Sequence, residues 1–123
     1  MNQQWNFKVA MVIKERETQG VPVLVLSGRL DMFARNGLKD VMEKYQEAQT
    51  RRVIVDMRGV SFIDSAGLGV LALMVKAFQD FKGNVIVVNP QDTVRNILEN
   101  VNFSKLIPMF QTNEDYSTFS ALS

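Results

Sequence analysis

The chemistry open to this chain rests on carboxylates, hydroxyls, lysines and arginines, because it contains neither cysteine nor histidine. That absence excludes Ser-His-Asp and Cys-His catalysis, thiolate-held zinc or iron–sulfur centres, and disulfides. The remaining groups concentrate in one stretch, Asp64-Ser65-Ala66-Gly67-Leu68-Gly69, where a strand-like run gives way to a helix-like one. An acid and a hydroxyl at such a junction accept hydrogen bonds from the unpaired N–H groups of a first helical turn. The partly positive helix end beside Ser65 also tolerates a phosphate. The two glycines leave no Cβ to obstruct a partner approaching the turn. Close packing of helix on sheet is the competing explanation, and it suits Gly69 better than Gly67. On that reading Gly67→Ala keeps the fold and weakens partner binding.

Other chemical readings of the loop are weaker. Gly67-Leu68-Gly69 lacks the third glycine of a dinucleotide fingerprint, and neither GxxxxGK nor GxSxG occurs. Asp31, Asp56 and Asp64 each follow a strand or loop at one predicted edge, an arrangement that would suit magnesium in a receiver-like domain. The acidic pair such a domain carries after its first strand is missing from Met11 to Lys14. Helix capping is the simpler account of these acids. Ser61 is a rival hydroxyl, but its apolar Val-Ser-Phe-Ile setting reads as a buried loop.

The elements that must position this junction follow from periodicity. Phe7, Val9, Met11 and Ile13 alternate as a half-buried strand, and Val21 to Leu26 makes a second. The charged connector Lys14 to Gly20 joins them as an antiparallel hairpin, with Pro22 restricted to a strand start or edge. Leu38, Val41, Met42 and Tyr45 recur at helical spacing after Asp31. Val53-Ile54-Val55 reads as a short strand buried on both faces. A second helix spans Ser65 to Phe81, with Leu71, Met74, Val75, Phe78 and Phe81 as its core stripe. Its apolar residues extend around that stripe through Leu68, Val70, Ala72 and Leu73, which marks burial on two sides or docking. Val85 to Val88 forms another buried strand, Val94, Ile97, Leu98 and Val101 a third helix, and Leu106-Ile107 a last short strand. Residues 113–122 read as a weak fourth helix or a fraying tail. From residue 53 onward strands and helices alternate, so the expected fold is α/β, with a mixed sheet of four to five strands, parallel after the opening hairpin.

A length of 123 residues fits one domain, here 1–123 with its core at about 7–110. The 14 basic and 13 acidic residues are interspersed, which gives no footprint for nucleic acid or an anionic membrane. No apolar run matches a signal peptide or a membrane span, so a soluble cytoplasmic protein is expected.

The segment VIVDMRGVSFIDSAGLGVLALM resembles the signature of the STAS domain, and more closely that of bacterial anti-anti-sigma factors, also called anti-sigma factor antagonists. The resemblance extends over LSGRLD and GNVIVVNPQDTVRNILENVNFSKLIPMF, covering about residues 8–110. Ala66 stands where many relatives carry Ser or Thr, and Ser65 aligns with the family's phosphoacceptor. The resemblance implies a protein without catalytic activity, cofactor or metal. It implies two partners: an anti-sigma factor serine kinase with a histidine-kinase-like ATPase fold, and a PP2C-type phosphatase that reverses the modification. The unphosphorylated form would hold the kinase and free the sigma factor. Arg29, Asp31, Asp64, Ser65, Ala66, Gly67, Leu68 and Lys76 are the expected partner-binding residues. A stand-alone docking subunit of a membrane transport complex, using the same fold, is the alternative.

Overall fold

The computed structural model describes residues 11–80, 82–112 and 116. The start of the first predicted strand at Phe7 and Val9, Phe81, and the predicted fourth helix except Tyr116 lie outside them. The described chain forms a five-stranded sheet with three α-helices. In chain order these are β1 (Met11–Thr18), β2 (Val21–Leu30), α1 (Arg35–Glu47), β3 (Arg52–Ile63), α2 (Ser65–Gln79), β4 (Asn84–Val88), α3 (Asp92–Asn100) and β5 (Met109–Phe110). Strands are ordered β1-β2-β3-β4-β5, the first pair antiparallel and the others parallel. The α/β class, the mixed sheet and the hairpin agree with the sequence reading.

Strand lengths do not agree. The expected charged connector is mostly strand: Lys14 to Thr18 continue β1, and only Gln19 and Gly20, both at positive φ, make the turn. Charged residues on both faces suit a strand at the sheet edge, and Glu15 is fixed there by Lys44 and by a 2.7 Å hydrogen bond from the Tyr45 hydroxyl of α1. Those two donors, Lys44 first, hold the Glu15 carboxyl below its usual range. β2 runs four residues past Leu26, and β3, expected at 53–55, extends to Ile63. Gly28 and Gly59 look like breakers in the sequence but serve the long β2–β3 pairing. Gly28 adopts φ +106° at an irregularity in the register. At Gly59, a Cβ would stand 2.6 Å from that of Ser27 on the facing strand. The last strand is Met109–Phe110 rather than Leu106-Ile107, which lie in the turn before it.

The sheet separates two apolar clusters by the alternation of strand side chains. On one face Leu24, Leu26, Val53, Val55, Met57 and Val87 pack with Leu38 and Met42 of α1, Leu71, Met74 and Phe78 of α2, and Val94 and Leu98 of α3. On the other, Val23, Ile54 and Val88 pack with Tyr116, flanked by Val21, Val25 and Ile86. Asp56 lies on this second face beside Val25 and Val88 in the register.

Candidate functional site

The site is built where β2 and β3 end together. Arg29 pairs with Phe62 and Leu30 with Ile63, so the loops that follow leave the sheet side by side. After Leu30 the chain enters a short 3-10 turn, Met32–Ala34, whose first N–H groups are capped by Asp31: its Oδ1 accepts from the Phe33 N–H at 3.0 Å. After Ile63 it enters α2, and Asp64 Oδ1 accepts from the Gly67 N–H at 2.9 Å. Both acids are N-caps, as their residue type and position dictate.

The backbone of β2 then fixes how closely α2 approaches. The Leu30 carbonyl accepts from the Asp64 N–H at 3.4 Å, and Gly67 rests directly on the same carbonyl. A Cβ at Gly67 would lie 1.9 Å from the Leu30 oxygen and 2.7 Å from its carbon, distances that no side chain can adopt. Nothing stands within 4 Å of a Cβ at Gly69. The assignment of the two glycines is therefore the reverse of the sequence reading. Gly67 is the helix–sheet contact, and its replacement by Ala disrupts the fold. Gly69 is the open position.

Ser65, the first residue of α2, and Ala66 are exposed, and Leu68 is half-buried. The Ser65 hydroxyl makes no hydrogen bond among the described residues. Arg29 lies 4.0 Å above the Phe62 ring, and its Nε is 3.4 Å from Asp31 Oδ2, which joins both strand ends next to Ser65. Lys76 shares one open cavity with Met32, Ala66, Gly69 and Leu73. The structure thus gathers Arg29, Asp64, Ser65, Ala66, Leu68 and Lys76 at one end of the sheet and along α2, with Asp31 and Gly67 buried beneath them.

Sequence reasoning missed Met32, Phe33 and Phe62 in the apolar part of this surface. Met32 and Phe33 are each more than half exposed, and Phe62 stands partly clear of its strand. The available signal was Met-Phe directly after a capping acid, where a turn ordinarily carries polar residues. Val70 and Leu73, both ambiguous in sequence, divide cleanly: Val70 is buried and Leu73 is 53% exposed. Ser61 proves to be an exposed strand residue whose hydroxyl donates to the Gly28 carbonyl at 3.4 Å, not a buried loop hydroxyl.

The three aspartates do not converge. Asp56 sits in the middle of β3 on the second sheet face, only 2% exposed. Its Oδ1 accepts from the Arg58 N–H at 2.9 Å and its Oδ2 from the Tyr116 hydroxyl at 2.5 Å. Burial, and then this hydrogen bond, push the Tyr116 hydroxyl up to about 12. Among the described residues no group of three His, Cys, Asp or Glu side chains could hold a metal ion.

β3 thus ends in an Asp-capped helix start with an exposed serine, held against the β2 backbone at Gly67. The STAS domain family model covers residues 13–116. The chain belongs to the STAS domain family. This STAS domain is 26% identical over 99 residues to the anti-sigma-B factor antagonist of Listeria monocytogenes, covering 80% of this chain and 86% of that one. Among solved structures it resembles the phosphorylated form of the Bacillus cell fate determinant SpoIIAA, with a TM-score of 0.70 at 20% identity over 93% of this chain and all of that one. It also resembles a sulfate transporter family protein from Wolinella succinogenes, with a TM-score of 0.73 at 19% identity over 87% of this chain and 90% of that one. At those identities both structures speak for the fold. Among the described residues no helix of this STAS domain is long and apolar enough to cross a membrane.

Proposed function

We propose that this STAS domain is a non-enzymatic anti-sigma factor antagonist of the cytoplasm, switched by phosphorylation of Ser65. The observation that carries the reading is the exposed hydroxyl of Ser65 at the first position of α2, next to a carboxylate already occupied by the Gly67 N–H. Asp64 shapes the helix start and leaves Ser65 open to a kinase. The relative named as an antagonist supports the same class.

In the unphosphorylated state Ser65, Ala66, Leu68, Arg29 and Lys76 contact an anti-sigma factor with a histidine-kinase-like ATPase fold, and Met32, Phe33 and Phe62 add apolar area to that contact; buried Asp31 acts through the turn it caps and through Arg29. Gly67 contributes by setting the helix height. A phosphate on Ser65 adds roughly −1.5 to −2 charges. The N-terminus of α2 offsets part of that charge in the free protein. At the interface the phosphate must be desolvated beside Asp64, and a penalty of about 2.8 kcal/mol lowers affinity a hundredfold. A PP2C-type phosphatase then restores the binding form.

Calorimetric titration of such an anti-sigma factor tests the switch. The phosphorylated protein and Ser65→Asp bind at least about a hundredfold and about tenfold more weakly than wild type. Ser65→Ala binds as wild type and takes no phosphate, and all forms keep cooperative melts. Equal affinity of the phosphorylated and unphosphorylated proteins overturns the proposal. In a docking subunit of a transport complex, binding to the transporter would be indifferent to Ser65, so titrating the same Ser65 series with the transporter separates that alternative.

A further inference from the structure

Helices α1 and α2 lie side by side on the sheet with an open trough between them. Two adjoining cavities, of about 390 and 470 Å³, share Arg35, Val70 and Leu73 and form its length. Met42 from α1 and Val70, Leu73 and Ala77 from α2 line its middle. The α2 residues recur at i, i+3 and i+7, so they form one stripe along the helix. Leu73 stands 53% exposed in that stripe.

The borders are cationic. Arg35 and Lys39, one helical turn apart, edge the trough on α1, and Lys76 edges it on α2. All three side chains are exposed, and among the described residues none of them has an ion-pair partner. Glu43 is the one acid on the lining. An apolar floor between unpaired cations complements an apolar stripe between acids.

We infer that this trough seats an amphipathic helix of a partner protein whose apolar stripe is bordered by acidic residues. Helical backbone satisfies its own N–H and C=O groups along both walls, so the trough offers no ladder to an added strand and is read through side chains alone. Its open form also argues against a small amphiphile, which a pocket would surround on most of its surface. The inference concerns the flank of α1 and α2 and does not depend on Ser65 being phosphorylated.

The test is an NMR titration of the full unphosphorylated chain with a stapled synthetic helix carrying leucine at i, i+3, i+4 and i+7 between glutamate borders, and with a twin whose borders are lysine. The glutamate helix shifts the amide signals of Arg35, Lys39, Leu73 and Lys76, and binds about tenfold or more tightly than its twin. Arg35→Glu/Lys39→Glu reverses that preference. Leu73→Gln, at an exposed position that leaves the melt unchanged, weakens both helices about tenfold. The inference is overturned if no saturable shift occurs, if the two helices bind equally, or if the shifts fall on the second sheet face. It is equally overturned if oleate, and not the helix, fills the trough, if sedimentation shows a dimer that Leu73→Gln dissociates, or if nuclear Overhauser contacts place residues 1–10 there. No anti-sigma factor enters the experiment, so its failure leaves the Ser65 proposal standing, and the calorimetric series leaves this inference standing.

Discussion

Asp64 and Asp56 are held in the same way locally and do opposite things. Each accepts a backbone N–H from a few residues ahead, Gly67 for one and Arg58 for the other, at 2.9 Å. Around Asp56 the sheet is closed: the side chain is 2% exposed and its second oxygen is taken by Tyr116, 60 residues away. Around Asp64 the chain opens, with Ser65 and Ala66 exposed and the helix end facing outward. A carboxylate with both oxygens engaged in the interior fixes a fold, whereas one that caps a helix at the surface leaves its neighbours free to meet a partner. The same contrast runs along β3. Val53 to Met57 are all buried, with pairing to both β2 and β4 through Asp56, while Arg58 to Ile63 pair with β2 alone and carry the chain to the site.

The largest expected effect lies under the open region. Gly67→Ala forces a methyl group onto the Leu30 carbonyl and destabilises the protein by more than about 3 kcal/mol. Urea unfolding measures it; a variant within about 1 kcal/mol of wild type would show that α2 lifts off β2 easily, and the contrast between a rigid base and an exposed surface would fail.

Tyr116→Phe probes the closed region. It leaves a buried carboxylate oxygen without its donor and costs about 1–3 kcal/mol. Wild type also carries a pH signature. The Tyr116 proton is held more tightly in the folded state, up to about 12 against an ordinary 10.0, so its contribution is complete below pH 10 and is lost as the pH rises toward 12. Tyr45 on α1 is raised to about 12 in the same direction, first by burial and then by its bond to Glu15. Urea midpoints taken across that range should fall in wild type and fall less steeply in Tyr116→Phe; an identical slope would remove Tyr116 from the account.

Asp64→Ala removes one cap and costs about 1 kcal/mol, less than Tyr116→Phe because water replaces the lost acceptor at a half-buried position. A larger loss than at Tyr116 would mean that the junction, rather than the second face, anchors the fold. Gly69→Ala has the smallest effect and the opposite sign: with open space around the new methyl group it stabilises α2 by up to about 1 kcal/mol. Thermal melts of the two glycine variants side by side give the sharpest form of the comparison, since the positions are two residues apart and the expected signs differ.

What the sequence determined is what neighbouring residues control among themselves. Asp31 and Asp64 cap the turns that follow them because a side-chain oxygen reaches an N–H two or three residues on. The continuous apolar run of Val85 to Val88 and the helical periods of Leu38 to Tyr45 and of Val94 to Leu98 revealed their elements, since a strand buried on both faces or one helix stripe must meet the core. Ser65 at a helix start was legible for the same local reason. The tertiary structure decided whatever depends on a group from another strand. The Leu30 carbonyl of β2 selects Gly67 over Gly69, and the Ser27 side chain explains Gly59 within a strand. Tyr116 makes Asp56 a buried structural acid, and the hairpin partner keeps Lys14 to Thr18 extended despite their charge. The packing of α1 beside α2 leaves Leu73 exposed between cations. Apart from the hairpin, where Thr18 faces Val21, these neighbours lie far apart in the chain, so no local spacing encodes them; they exist only once the sheet and its helices have packed.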